Sequence, residues 1–337
     1  MITRSLGTHG PLVSAIGLGC AAMSDTPGPA NDEISSATIH AAIERGITLL
    51  DTADFYGMGQ NEMLLGSALR GRAREQIVIS DKFGALRDPD GRFIGIDGRP
   101  ASIKNFLTYT LRRLGTDYID IYRPARLDAT VPIEDTIGAI ADMVKAGYVR
   151  FIGLSEVGSA TIRRAQAVHP IADVQLEYSL FSRDIEADIL PTCRELGIGI
   201  TAYGVLSHGL LSGQWSKERP HEPGSFTSFS PRFNAANLDH NLALVEALRL
   251  LAEAKGATVS QMAIAWVLAR GQDIVTLVGA RRRESLSGSL TALDLQLTAD
   301  DMAQIEQAIP KGTAAGERYP VPLMALLDSE QDRGQKR

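Results

Sequence analysis

Three residue types that together can deliver a proton stand close together in this chain. Asp51-Thr52-Ala53-Asp54-Phe55-Tyr56-Gly57 follows the apolar run Thr48–Leu50, and Asp81-Lys82-Phe83-Gly84 follows the run Ile77–Ser80. A lysine at the end of an apolar strand is costly to bury unless a partner balances its charge. Asp51, at the end of the neighbouring strand, can supply that charge. A free tyrosine phenol has a pKa of about 10, and a nearby ammonium stabilises the phenolate and lowers that value. Tyr56 beside Lys82 would then donate a proton to a developing alkoxide near neutral pH. Reduction of a carbonyl by hydride requires that step. Taken singly, each residue has an ordinary explanation: an aspartate caps a turn, a tyrosine packs, a lysine is solvated. Their joint occurrence at successive strand ends favours the chemical reading.

Such residues need a scaffold that brings strand ends together. Short apolar runs alternate with amphipathic stretches of helical length along the chain. The strands read as Ala15–Leu18, Thr48–Leu50, Ile77–Ser80, Tyr118–Tyr122, Phe151–Leu154, Asp173–Leu176, Ile198–Ala202 and Ile274–Val278. The helices read as Asp32–Arg45, Asn61–Arg70, Ser102–Leu114, Ile133–Ala146, Ser159–Val168, Ile185–Leu196, Leu242–Ala254 and Gln261–Ala269. Gly46, Gly115, Gly147, Gly197 and Gly271 are expected to stop helices, and Asn31 and Ser102 to cap them. Alternation of this kind implies parallel strands with right-handed crossovers. Eight units predict an α/β fold, a closed (β/α)8 TIM barrel, with the catalytic residues on its C-terminal face.

Residues 1–310 are read as one barrel domain and 311–337 as a tail, partly over the substrate pocket and partly flexible. Arg4–Ser14 is expected to form a hairpin plugging the far end of the barrel. Gly84–Pro100 and His208–His240 are long insertions expected on the catalytic face, since long loops in compact domains tend to be functional. The tail turns polar at Asp328, and 329–337 is expected to be loose.

The chain has 337 residues, 44% hydrophobic and 22% charged, with a net charge of −6. That acidic balance argues against a general nucleic-acid binder and against an anionic membrane surface. No run reaches the roughly 18 apolar residues of a membrane span, and Met1–Gly10 carries no apolar signal core. Cys20 and Cys193 lack metal-type spacing and read as reduced thiols of a cytoplasmic protein. The oligomeric state is left open.

The motifs "GLGCAAMS" (Gly17–Ser24), "LLDTADFYGMGQNEMLLGSAL" (Leu49–Leu69), "DKFG" (Asp81–Gly84), "GLSEVG" (Gly153–Gly158), "AYGVLSHGLLSG" (Ala202–Gly213) and "GARRRESL" (Gly279–Leu286) occur in this order. Together they resemble the aldo-keto reductase superfamily over about residues 1–310. The resemblance implies a catalytic tetrad of Asp, Tyr, Lys and His. Three members map onto Asp51, Tyr56 and Lys82. The fourth falls in Asp120-Ile121-Tyr122-Arg123-Pro124-Ala125-Arg126-Leu127-Asp128, where Ala125 stands in the histidine's place. Alanine offers no hydrogen bond there, and neither Arg123 nor Arg126 is assigned its role.

A GxGxxG fingerprint is absent after the first strand, which argues against a Rossmann dinucleotide domain. The resemblance implies NADPH lying across the barrel mouth, with Gly19, Cys20 and Asp51 beside it. Ser155, Glu156 and Gln175 map onto the carboxamide contacts, Glu156 replacing the commoner Asn. Tyr203 maps onto the aromatic residue under the nicotinamide, followed by Gly204, Leu206 and Gly209. Gly279, Arg281, Arg282, Ser285 and Ser289 map onto the adenosine side. An arginine cluster opening a helix suits a phosphate monoester, which favours NADPH over NADH. Gly288 and Ser289 replace the family's adenine-side Glu and Asn. The expected activity is reduction of an aldehyde or ketone, with a small-molecule carbonyl as partner. The alternative, suggested by Ala125, is a non-catalytic or weakly catalytic NADPH-binding sensor. A metal-dependent hydrolase is disfavoured, because no His-x-His pair or carboxylate–histidine set stands at the strand ends.

Overall fold

The computed structural model describes residues 1–24, 31–221 and 224–331. Eight parallel strands close into a barrel in sequence order. They are β1 (Ile16–Gly19), β2 (Leu49–Ala53), β3 (Val78–Phe83), β4 (Ile119–Pro124), β5 (Val149–Ser155), β6 (Ile171–Glu177), β7 (Gly199–Tyr203) and β8 (Ile274–Gly279). Around them lie α1 (Asp32–Glu44), α2 (Gln60–Leu69), α3 (Pro100–Leu114), α4 (Ile133–Lys145), α5 (Ser159–Val168), α6 (Ile189–Glu195), α7 (Ala235–Ala254), α8 (Val259–Ala269), α9 (Arg283–Leu290) and α10 (Ala299–Ala308). The expected (β/α)8 barrel is therefore the observed fold.

The differences have local causes. β2 and β3 continue past their apolar runs, so Asp51 and Lys82 lie within strands and not after them. The barrel interior is polar at that level, and hydrophobicity stops marking the strand before its hydrogen bonding does. The stretch expected as Ile185–Leu196 is broken into a short 3-10 turn, Asp184–Ala187, and α6. Pro191 lacks the N–H that a continuous helix would need there. α7 begins at Ala235, well before Leu242, because Asn234 accepts from Asn237 N at 3.0 Å and caps it. α3 starts at Pro100, a residue suited to a first helical position. Ser102 is thus inside the helix, donating to Asp97 at 2.8 Å, and does not cap it. Gly46, Gly115, Gly147 and Gly197 have left-handed φ as expected, whereas Gly271 is not among the positive-φ residues. The Gly84–Pro100 insertion contains a two-stranded hairpin, Ala85–Arg87 with Phe93–Ile96.

Side chains alternate in and out along each strand. The inward face is apolar at the N-terminal end, where Leu49, Ile121, Val275 and Leu277 pack with Leu6 and Val13. Leu6 follows the first strand of the N-terminal hairpin (Thr3–Ser5 with Leu12–Ser14) and Val13 lies in the second, so the hairpin closes that end. Arg4 ties it to β8 and α8 through the carbonyls of Ile274 (2.5 Å) and Leu268 (2.9 Å). One layer higher the interior becomes ionic. Arg123 on β4, fully buried, pairs with Asp173 on β6 at 3.1 Å. Gly153 on β5 lies between them, and a Cβ there would sit 2.8 Å from Asp173 Oδ1 and 3.1 Å from Arg123 Cζ.

The outward face of β3 carries a second polar group. Asp81 is fully buried, and among the described residues neither carboxylate oxygen has a hydrogen-bond partner. Burial, then the charges of Glu62 and Asp54, pushes its pKa well above the usual carboxylate range. Burial and Glu62 likewise raise Asp54 to about 7. Glu62 itself is covered by an ion pair from α2 to Arg113 on α3.

Two outcomes follow from this packing. Gly153→Ala should cost about 2 kcal/mol of stability by overpacking, seen as a lower Tm; an unchanged melt would show that the interior is looser than described. Asp54 and Asp81 hold their protons more tightly folded than unfolded. Their contribution to stability is therefore complete below about pH 4 and is lost as pH rises through about 7 for Asp54. Tm should fall between pH 4 and pH 8, and Asp54→Asn should flatten that fall. An equal slope in the variant would rule Asp54 out as a source.

Candidate active site

The C-terminal ends of the strands gather the reactive groups. Register pairs Asp51 with Ser80 and Ala53 with Lys82 across β2 and β3. Asp51 and Lys82 point into the barrel, each 3% exposed. Lys82 Nζ lies 2.5 Å from Asp51 Oδ1. The other Asp51 oxygen accepts from Ser80 Oγ at 2.8 Å and from Gln175 Nε2 at 2.7 Å. Burial lowers the Lys82 pKa, and the charge and hydrogen bond of Asp51 oppose that shift. Lys82 Nζ stands 5.1 Å from the centre of the Tyr56 ring. The three residues chosen from sequence are therefore one cluster.

Tyr56 comes from the loop between β2 and α2. Gly57, Met58 and Gly59 all have left-handed φ, which turns the chain sharply behind it. A Cβ at Gly59 would meet Arg113 Cδ at 2.8 Å. Asn61, fully buried, fixes this loop to its neighbours. It accepts from Thr52 Oγ1 at 2.7 Å, and its amide donates to Cys20 O at 2.8 Å and Ser24 Oγ at 2.7 Å. Cys20 N in turn donates to Asp51 O at 2.9 Å. Burial pushes the Cys20 thiol up to about 12, so it is no nucleophile.

Beneath the cluster runs a chain of contacts that sequence reasoning did not assign. Thr201 on β7 bonds Asp173, Asp173 pairs with Arg123, and Arg123 Nη2 donates to Ser80 Oγ at 3.0 Å. Ser80 then reaches Asp51. Two cations and two carboxylates are balanced within the barrel. The available signal was a polar residue at every second position of apolar strands, as in Asp173-Val174-Gln175-Leu176-Glu177. Ala125 is buried just beyond β4, and Arg126 folds back to donate to its carbonyl at 2.6 Å.

Ser155 and Gln175 face each other across β5 and β6, on the far side of the barrel from β2, and Gln175 reaches Asp51 through the interior. Glu156, next in line, has φ 53° and is fully buried. Its carboxylate accepts from Arg318 Nη2 at 2.5 Å, Tyr203 Oη at 2.8 Å, Ser329 Oγ at 2.8 Å and Glu177 N at 2.9 Å. Burial alone would raise its pKa, but Arg318 outweighs that and holds it at about 2. Tyr203 also meets Tyr319 hydroxyl to hydroxyl at 3.0 Å. Burial and Glu156 push the Tyr203 pKa well up, so this phenol stays protonated. Ser329 and Glu330, expected to be loose, are tied to Arg318; residues 332–337 lie outside the described residues.

A second group lies past β8. Gly279 pairs with Gly19, and a Cβ on Gly279 would meet nothing within 4 Å. Arg281, Arg282 and Arg283 are exposed at the start of α9, with Arg282 as its N-cap. Arg281 Nε is held by Ala22 O at 2.8 Å, and Ser289 Oγ by Ser285 O at 3.1 Å. Gly204, Leu206 and Gly209 lie in the loop after β7, and Gly209 also has open space beside it. His208 in that loop stacks on Phe226, ring centres 3.9 Å apart. Open space beside Gly209 and Gly279, with exposed guanidinium groups at the start of α9, is a fit for an extended, phosphorylated cofactor.

Known proteins are similar to this chain in sequence and in fold. A probable aldo-keto reductase from Glycine max is 42% identical over 317 residues, 93% of this chain and 90% of that protein. A glycerol dehydrogenase from Gluconobacter oxydans superposes with a TM-score of 0.85 at 28% identity, over 95% of this chain and 97% of that one. An aldo-keto reductase from Bacillus halodurans, solved in its holo form, gives a TM-score of 0.76 at 28% identity, over 94% and 98%. The Aldo/keto reductase family profile matches residues 15–310, the span that supplies the barrel and the Asp51–Tyr56–Lys82 cluster. The chain therefore belongs to the aldo/keto reductase family, oxidoreductases that act on carbonyl groups.

Proposed function

We infer that the protein reduces an aldehyde or ketone to an alcohol with NADPH, Tyr56 serving as the general acid. The observation that carries this reading is the buried Lys82 ammonium, salt-bridged to Asp51 and 5.1 Å from the Tyr56 ring. The cofactor, when bound, supplies the hydride. Tyr56 gives its proton to the carbonyl oxygen as negative charge develops there. Lys82 stabilises the phenolate left behind, and Asp51 fixes Lys82 in place. Ala125 offers no hydrogen bond at the end of β4, so this reading places proton delivery on Tyr56.

Ser155 and Gln175 are the residues to hold the nicotinamide carboxamide, with the Gln175 oxygen as acceptor. The resemblance also suggested Glu156 for this set. Its carboxylate is already bonded to Arg318, Ser329 and Tyr203, so its part is to fix Tyr203, the platform for the ring. In this reading Gly19, Cys20, Gly204, Leu206, Gly209 and Gly279 lie along the extended cofactor, and Arg281 and Arg282, with Ser285 and Ser289, take the adenosine phosphate. The loop after β7 and the tail around Tyr319 shape the substrate pocket.

Tyr56→Phe should reduce kcat by at least a hundredfold with the Kd for NADPH unchanged. Retained turnover on a panel of aldehydes and ketones would remove the acid role. A wild type that binds NADPH and turns over no carbonyl would favour a sensor instead. Arg282→Ala should raise KM for NADPH roughly tenfold and leave NADH little changed, since only the former carries the extra phosphate. Equal effects on both cofactors would remove the phosphate assignment.

A further inference from the structure

Away from the barrel mouth, a cleft of about 550 Å³ opens beside the C-terminal ends of α2 and α3. Five arginines line it: Arg70, Arg72, Arg74, Arg112 and Arg113. No aspartate or glutamate does. In a chain of net charge −6 this is a strong local reversal of sign. Arg74 pairs with Asp120 at 2.7 Å, and Arg113 pairs with Glu62. Among the described residues, the guanidinium groups of Arg70, Arg72 and Arg112 have no hydrogen-bond or ion-pair partner. Arg72 is nevertheless half-buried.

Ordinary structural roles account for only part of this. Arg70 and Arg112 lie in or just after the last turns of α2 and α3, where a cation complements the helix dipole. That benefit fades within one turn, and Arg72 lies beyond it. Arginine is also the side chain whose rigid fork of donors matches phosphate oxygens. The floor of the cleft is apolar, made by Ile77, Ile79 and Leu114. Its volume is that of a small-molecule site. A long polyanion such as nucleic acid would have to extend beyond the cleft over a chain whose net charge is −6.

We propose that this cleft is a binding site for a soluble small molecule carrying two or more linked phosphates, held by Arg70, Arg72 and Arg112. The site lies at the N-terminal end of β3, whereas Lys82 lies near the other end of the same strand. It is therefore separate from the reductase site and from the Arg281–Arg283 cluster, and it does not depend on the function inferred above.

The test uses the full chain with saturating NADPH and inorganic tripolyphosphate as titrant, followed by calorimetry at 150 mM salt, a concentration of roughly physiological ionic strength. If the chain binds no NADPH the same titration is run without it, so the two readings fail separately. One site is expected, at least tenfold tighter for tripolyphosphate than for orthophosphate. Arg72→Gln with Arg112→Gln should weaken it at least tenfold, with Tm and carbonyl-reduction kinetics unchanged, and Arg282→Ala should leave it unaltered. Binding that survives Arg72→Glu but is lost in Arg282→Ala would move the anion to the cofactor site and overturn the proposal. So would equal affinity for orthophosphate, or no binding at millimolar titrant. Arg72-dependent co-sedimentation with phosphoinositide vesicles, without tripolyphosphate binding, would overturn the soluble ligand in favour of a lipid headgroup.

Discussion

A lysine ammonium buried inside a barrel is tolerable only if its charge is matched and its donors are used. Lys82 meets that condition through Asp51, and Asp51 in turn is held by Ser80 and Gln175. The pair is not isolated. Arg123 and Asp173 lie one layer below, joined to it through Ser80. Four strands thus contribute to one balanced network. Its members gain little stability from being there, since desolvation offsets much of the attraction. What the network gives is position: an ammonium that cannot move away from the Tyr56 ring.

The rest of the barrel follows from holding that network. An interior with ions in its middle layer cannot also be filled with large side chains at that level. Gly153 leaves the room that Arg123 and Asp173 occupy. Apolar packing is displaced to the N-terminal end, where the hairpin residues Leu6 and Val13 complete it. The two ends of one cylinder are thereby specialised, one for cohesion and one for charge.

The tail extends the same logic across the mouth. Arg318 supplies the cation for Glu156, a carboxylate buried in a strained left-handed conformation, and Tyr319 reaches Tyr203. A segment remote in sequence from β5 and β7 thus sets the environment of residues at both strand ends. A second electrostatic feature, the arginine-lined cleft by α2 and α3, lies at the opposite end of β3 from Lys82.

Much of this was legible in the chain itself. The period of the apolar runs gave eight strands, and the Asp51, Tyr56 and Lys82 triplet was evident from residue types at successive strand ends. Helix stops such as Gly115 and Gly147 were readable because a left-handed residue needs glycine. Hydrophobicity could not show where β2 and β3 end, because their last residues face a polar interior. Nor could it show that Arg123 meets Asp173, that Glu156 is claimed by Arg318, or that Arg70, Arg72 and Arg112 surround one cleft. Those partners are 50 residues apart in the first case and 162 in the second. Local preference and periodicity act along the chain, whereas charge pairing acts through space. Only closure of the barrel brings such groups within reach.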